Sequence, residues 1–221
     1  MKVIVFAARK GGCGKTTLTA HLAIQAELAK QGPVTLIDTD PQQSLTMWWN
    51  DRVAESPALL DVPLARLKSE MAAARDLPGL AMIDTPPLDS EKIAAVVEIA
   101  DLVVIPVKPS PHDLRGVSVT VDLVKKYGRP FVFVVTQATP RAALTQQAPL
   151  ALSQFGPVAT TIVHARVDYA GAMTDGRTAQ EIDPHGKAAQ ETAVLWEYVF
   201  RQLRSDVTTQ HNKRVKTEVG V

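Results

Sequence analysis

Short apolar runs alternate along this chain with longer stretches whose apolar residues recur every three to four positions, and this alternation organises the rest of the sequence. The runs at 3–8, 34–37, 80–83, 102–106, 131–135 and 160–163 are apolar and β-branched, and the last five each lie close to a glycine, a proline or an aspartate. That is the pattern of strands buried on both faces. Helical spacing occupies 18–30, 43–53, 90–99, 114–126, 141–154 and 187–204, the last with Thr192, Trp196, Val199 and Leu203 on one side. Strand and helix in regular alternation predict an α/β fold: one domain, with a mainly parallel twisted sheet covered by helices on both faces. Ligands of such sheets bind beyond the carboxyl ends of the strands. The stretch 171–184 is mixed and turn-rich, and is expected to be a surface loop with a helical turn. From Ser205 polar and basic residues dominate, so 205–221 reads as a frayed tail.

The first apolar run leads into Lys10-Gly11-Gly12-Cys13-Gly14-Lys15-Thr16-Thr17, and helical spacing follows at once. Glycines at these positions let successive N–H groups point inward as an anion nest at a helix N-terminus, where the dipole also favours negative charge. Lys15 is placed to reach the β- and γ-phosphates of a nucleotide, and the Thr16 hydroxyl to ligate Mg²⁺. A glycine-rich turn that merely contains a lysine is the alternative, and the strand, loop and helix order argues against it.

Composition narrows the context. The 221 residues suffice for one sizeable core, and a formal charge of +1 gives no global attraction to nucleic acid, so any such contact must come from a local patch. The single cysteine, Cys13, lies inside the glycine-rich loop, which leaves neither a disulfide framework nor a cysteine pair for a metal cluster. No stretch approaches the roughly 20 apolar residues that cross a bilayer. A soluble, cytoplasmic protein is the expectation.

Two acidic segments follow predicted strands: Asp38-Thr39-Asp40-Pro41-Gln42 after the second and Asp84-Thr85-Pro86-Pro87 after the third. A carboxylate at such a strand end can hold Mg²⁺ through a water or orient the attacking water. Alone, each aspartate reads as a turn former. On consecutive strands beside a phosphate loop, the three together favour chemistry.

With these residues in view, the chain resembles the ParA family of DNA-partition ATPases, within the deviant Walker A group of P-loop NTPases. Lys10 to Thr17 matches KGGxGK[ST][ST], and Asp38–Gln42 and Asp84–Pro87 match the DxDPQ and DxPP segments. The resemblance covers nearly the whole chain and is nearest to short plasmid-type members. It implies ATP and Mg²⁺ as cofactors and ATP hydrolysis as the activity. Lys10 corresponds to the lysine that crosses a homodimer interface to the partner's phosphates, and Gly11, Gly12, Cys13, Gly14, Lys15, Thr16 and Thr17 to the phosphate cradle. Asp40 corresponds to the residue positioning the attacking water near the metal, and Asp84 to a magnesium ligand acting through water. Lys10, Lys15 and Asp40 are thus the implied catalytic set.

Softer matches extend this. Pro109, in the run Pro106 to Pro111, corresponds to a segment bordering base and dimer interface, or else forms a rigid turn. Thr136 stands where many relatives read adenine with asparagine, five residues before Arg141. Arg166 echoes the family without a defined role. The resemblance further implies non-specific binding to nucleoid DNA, for which Lys187, Arg201 and Arg204 are candidates, with a solvated helix face as the alternative. It also implies a ParB-like or cargo-adaptor protein that stimulates hydrolysis, so that a plasmid or another intracellular cargo is partitioned or positioned. Trp48, Trp49 and Trp196 read as packing residues, with one of the adjacent pair free to meet a partner. A MinD-like membrane ATPase ranks lower, because 206–221 has only scattered valines, and a metabolic P-loop enzyme lower still.

Overall fold

The computed structural model describes residues 1–87 and 91–218. Its elements in chain order are β1 (Lys2–Phe6), α1 (Lys15–Leu28), β2 (Val34–Asp38), α2 (Ser44–Asn50), β3 (Ala58–Leu59), α3 (Leu64–Ala73), β4 (Leu80–Asp84), α4 (Glu91–Glu98), β5 (Leu102–Val107), α5 (Pro111–Lys126), β6 (Phe131–Val135), α6 (Ala143–Ser153), α7 (Val167–Ala172), a 3₁₀ turn (Met173–Asp175), α8 (Ala179–Ile182) and α9 (Lys187–Glu218). The six strands form one sheet in the order β3-β2-β4-β1-β5-β6, and every pairing is parallel. Parallel neighbours need crossover connections, and the helices between the strands supply them.

Although β1 reads as a continuous apolar run, its side chains still alternate between faces. Ile4 and Phe6 join Leu36, Met82 and Val104 in a core closed by α1 and α9, while Val3 and Val5 join Ile37, Ile83 and Ile105 against α4 and α5. The register matters for function. Phe6 and Asp38 both pair with Asp84, so the three strands β2, β4 and β1 end at one level and present their following loops together.

Four expectations change. Residues 160–163 do not form a strand: the chain here pairs with β6 and the residues after it through isolated bridges, Phe133 with Val158 and Ala138 with His164, and a single bond from Val163 N to Val135 O, and Thr160 is exposed. The stretch 171–184 is no surface loop, since Thr178, Ala179 and Gln180 are buried. The last helix continues to Glu218 instead of giving way to a tail at Ser205, and no proline or glycine interrupts 205–218. Both adjacent tryptophans are tied inward. Trp48 is buried and donates from Nε1 to Arg177 O at 3.0 Å, and Trp49 donates to Pro57 O at 2.7 Å. Ser90, where one helix was expected to begin, lies outside the described residues.

Two elements left no readable pattern. β3 is only two residues long, and α3 buries just Leu67 and Met71, one turn apart.

Candidate nucleotide site

The loop between β1 and α1 has the backbone that a phosphate cradle requires. Gly12 (φ 70°) and Gly14 (φ 91°) both occupy the left-handed region, where a side chain is strained. Gly14 caps α1, whose first turn contains no acidic residue to compete with a bound anion. Two residues after β6 clamp the loop from outside: Thr136 Oγ1 donates to Cys13 O at 2.8 Å, and Gln137 Nε2 donates to Gly12 O at 2.8 Å. Burial raises the Cys13 thiol above its ordinary range, although Lys15 opposes the effect. It is a packed side chain rather than a reactive one.

The two lysines of the loop sit in different surroundings. Lys15 is buried, and its Nζ lies 3.5 Å from Lys10 O, folded back over the loop. Lys10 is exposed, and its ammonium has no hydrogen bond or ion pair among the described residues.

Asp84 ends β4 fully buried. Its Oδ2 accepts from Thr16 Oγ1 at 2.5 Å, while Oδ1 has no partner among the described residues. Burial pushes its pKa up to about 7, against the opposing bond from Thr16. A buried carboxylate oxygen without a donor, next to the threonine of a phosphate loop, fits a cation that arrives with its own water.

The loop after β2 divides its labour. Asp38 is saturated by Asp40 N, Thr46 N and Thr46 Oγ1, so it shapes the turn. The Asp40 carboxylate accepts only from Gln42 N among the described residues, and Asp40 borders the cleft. Thr39 Oγ1 donates to Asp84 O at 2.7 Å and binds this loop to β4. Gly11, Gly12, Gly14, Lys15, Thr16, Thr17 and Asp40 thus border one open cleft of about 550 Å³.

A second, more apolar cavity of about 460 Å³ adjoins it. One wall is Gly14, Thr17, Leu18, Thr136 and Gln137, and the other is the segment from Val163 to Ala170. Pro109 and Arg141 stand outside both cavities. Lys187, Arg201 and Arg204 are exposed along α9, with Arg201 over the Tyr198 ring and Arg204 over the Phe200 ring. Residues without a role in the sequence reading form the far wall and its support: Arg166, His164, Tyr169 and, behind them, Glu191. Burial tends to raise the Glu191 pKa, but bonds from Arg166 and His164 outweigh it and hold the carboxyl below its ordinary range. No motif marks this set, because its members are brought together from two separate segments.

A parallel sheet with a glycine-rich phosphate loop after its first strand and a buried aspartate on the adjacent strand defines a P-loop nucleotide-binding protein. The chain belongs to the CobQ/CobB/MinD/ParA nucleotide-binding family, whose domain model matches residues 4–179. It is 31% identical over 196 residues to the Maintenance of carboxysome distribution protein A of Halothiobacillus neapolitanus, covering 82% of this chain and 88% of that one. Over 117 residues it is 38% identical to the Protein ParA of Rhizobium radiobacter, covering 51% of each. Among solved structures, apo McdA of Cyanothece superposes with a TM-score of 0.75 at 19% identity, covering 89% of this chain and 98% of that one. The septum site-determining protein MinD of Pyrococcus horikoshii, solved with Mg-ADP, gives 0.76 at 16%, covering 90% and 95%. The protein is a P-loop ATPase of this family, and among its described residues no helix is long and apolar enough to cross a membrane.

Proposed function

We propose that the protein is an ATP-driven positioning switch: Mg-ATP joins two copies into a sandwich dimer, the dimer holds non-specific DNA of the nucleoid, and a partner protein stimulates hydrolysis to release it. The contrast between the two loop lysines carries this reading. Lys15 is buried and turned to its own loop, whereas Lys10 is exposed and unpaired among the described residues, as a cation destined for a neighbour's phosphates would be.

In that cycle the glycine-rich loop holds the triphosphate and Lys15 neutralises its β and γ charge. Thr16 and the free Asp84 oxygen would hold Mg²⁺, which supplies charge neutralisation at the phosphates when bound. Asp40, on the cleft, orients the attacking water. The second cavity takes the nucleoside, with Thr136 on its wall and Gln137 at the junction between the two spaces. Lys187, Arg201 and Arg204 provide phosphate contacts on α9. The relative named for maintenance of carboxysome distribution favours an intracellular assembly as cargo, with a plasmid as the alternative.

The deciding measurement is DNA retention with ATP, ADP and a non-hydrolysable ATP analogue at two salt concentrations. Retention that needs ATP or the analogue and weakens steeply with salt supports the reading. Retention indifferent to nucleotide refutes it.

A further inference from the structure

The far wall of the apolar cavity hangs on one carboxylate from a different part of the chain. Glu191, on α9, accepts five hydrogen bonds: from His164 N (3.2 Å), His164 Nδ1 (2.7 Å), Arg166 Nε (3.1 Å), Arg166 Nη2 (2.5 Å) and Tyr169 OH (3.2 Å). All three donor residues line the cavity, and none is more than a few positions from the next in sequence. Between them they belong to no long element: the segment enters from an isolated bridge at His164 and leaves through the six residues of α7. Without local secondary structure to fix it, the position of this wall depends on its anchor. The anchor is strong, because the carboxylate is only 12% exposed and two of its donors come from a guanidinium. The opposite wall is the start of α1, and α9 packs against α1 as well. One helix therefore supports both sides of the cavity.

From this geometry we infer that Glu191 is a positioning residue for nucleotide recognition: it sets the wall that receives the nucleoside end, while the phosphate loop holds the other end independently. The inference rests on the nucleotide reading of the two cavities given above. It assigns α9 a share in nucleotide affinity although, among the described residues, none of α9 lines either cavity. Glu191 acts only through His164, Arg166 and Tyr169.

Two ligands separate this role from general support of the fold. Mg-ATP spans both cavities, whereas inorganic tripolyphosphate occupies the phosphate loop alone. Calorimetric titration of each ligand into the full chain, as wild type, Glu191→Ala, Glu191→Gln and Tyr169→Phe, is the test, with thermal melting recorded in parallel. Glu191→Ala should weaken ATP by about tenfold and leave tripolyphosphate unchanged, with Glu191→Gln intermediate because one of its positions can still accept. Tyr169→Phe, which keeps the ring and removes one of the five bonds together with the hydroxyl's bond to Ala188 O, should show a smaller loss of the same selectivity and serves where Glu191→Ala does not fold. Equal losses for both ligands, or wild-type ATP affinity in folded variants, overturn the inference. A wild type that takes tripolyphosphate but gains nothing from the nucleoside also overturns it, and one that binds neither ligand refutes the nucleotide reading beneath it.

Discussion

Thr16 Oγ1 donates a 2.5 Å hydrogen bond to Asp84 Oδ2, joining the first turn of α1 to the buried end of β4. Only one oxygen of this buried carboxylate has a partner among the described residues, and the fold raises its pKa to about 7 through desolvation. Below about pH 7 the protonated form is therefore favoured. That contribution is fully present below the unfolded pKa of 3.8 and is lost as pH rises through about 7.

Asp84→Asn follows from this directly. The amide keeps an acceptor for Thr16 and removes a charge that burial disfavours, so the apo variant should melt at or above the wild-type temperature. Its stabilisation by Mg-ATP, by contrast, should fall by about 1–3 kcal/mol. Melting curves at pH 8 with and without Mg-ATP read both effects, and a variant stabilised like wild type removes Asp84 from the metal site.

Lys10 and Lys15 should separate cleanly. Lys15→Ala is expected to abolish ATP binding, while Lys10→Ala keeps binding and loses ATP-dependent dimerisation and DNA retention. Light scattering with size exclusion reports the dimer, and fluorescent ATP reports binding. DNA retained by a monomeric Lys10→Ala protein contradicts the role given to Lys10.

His21 makes a pH prediction. This fully buried residue of α1 donates from Nδ1 to Thr17 O at 2.8 Å and accepts at Nε2 from Ala179 N at 3.1 Å, so it is neutral. Burial lowers its pKa from 6.5 to about 4. A depressed histidine adds stability above its unfolded pKa and loses it as pH falls from 6.5 towards 4, by roughly 3 kcal/mol for a shift of this size. Urea unfolding at pH 7 and pH 4.5 should show that loss in wild type and a smaller one in His21→Gln. Parallel pH dependences would exclude His21 as its source.

Gly176 holds the segment before α8 against the end of α2. Its φ is 75°, and a Cβ there would lie 2.4 Å from Arg52 N, next to the guanidinium that bonds Gly176 O and both oxygens of Glu181. Gly176→Ala should cost about 2 kcal/mol or more, read as a shift in urea midpoint. A neutral effect would mean that this contact yields easily.

On α9, replacing Arg201 and Arg204 together by alanine should weaken DNA retention evenly across sequences and reduce the salt slope by about 2. Basal ATP hydrolysis should not change, since neither side chain lines a cavity. An unaltered slope places the DNA surface elsewhere.

Much of the phosphate half of the site was legible from the chain. Lys10 to Thr17 is contiguous, so loop geometry, helix dipole and cation all follow from local order. Asp84 was legible for a related reason: it ends an apolar strand, and parallel register carries it to the level of β1's end. The far wall of the second cavity was not. His164, Arg166 and Tyr169 gain their role only through Glu191, some 25 positions away, and no periodicity announces a hydrogen-bonded wall. The burial of Thr178, Ala179 and Gln180 was equally hidden, because polar residues between turns look like surface until His21 and Glu181 are seen to bond them.

The sequence by itself thus determined the class of sheet, the phosphate loop and the side on which chemistry sits, because hydrophobic periodicity and backbone freedom are local properties. Tertiary structure decided which carboxylate oxygen stays free, which lysine faces out, and that α9 supports a cavity it does not line. Those outcomes depend on burial and on hydrogen bonds between distant segments, and such pairings exist only once the chain is packed.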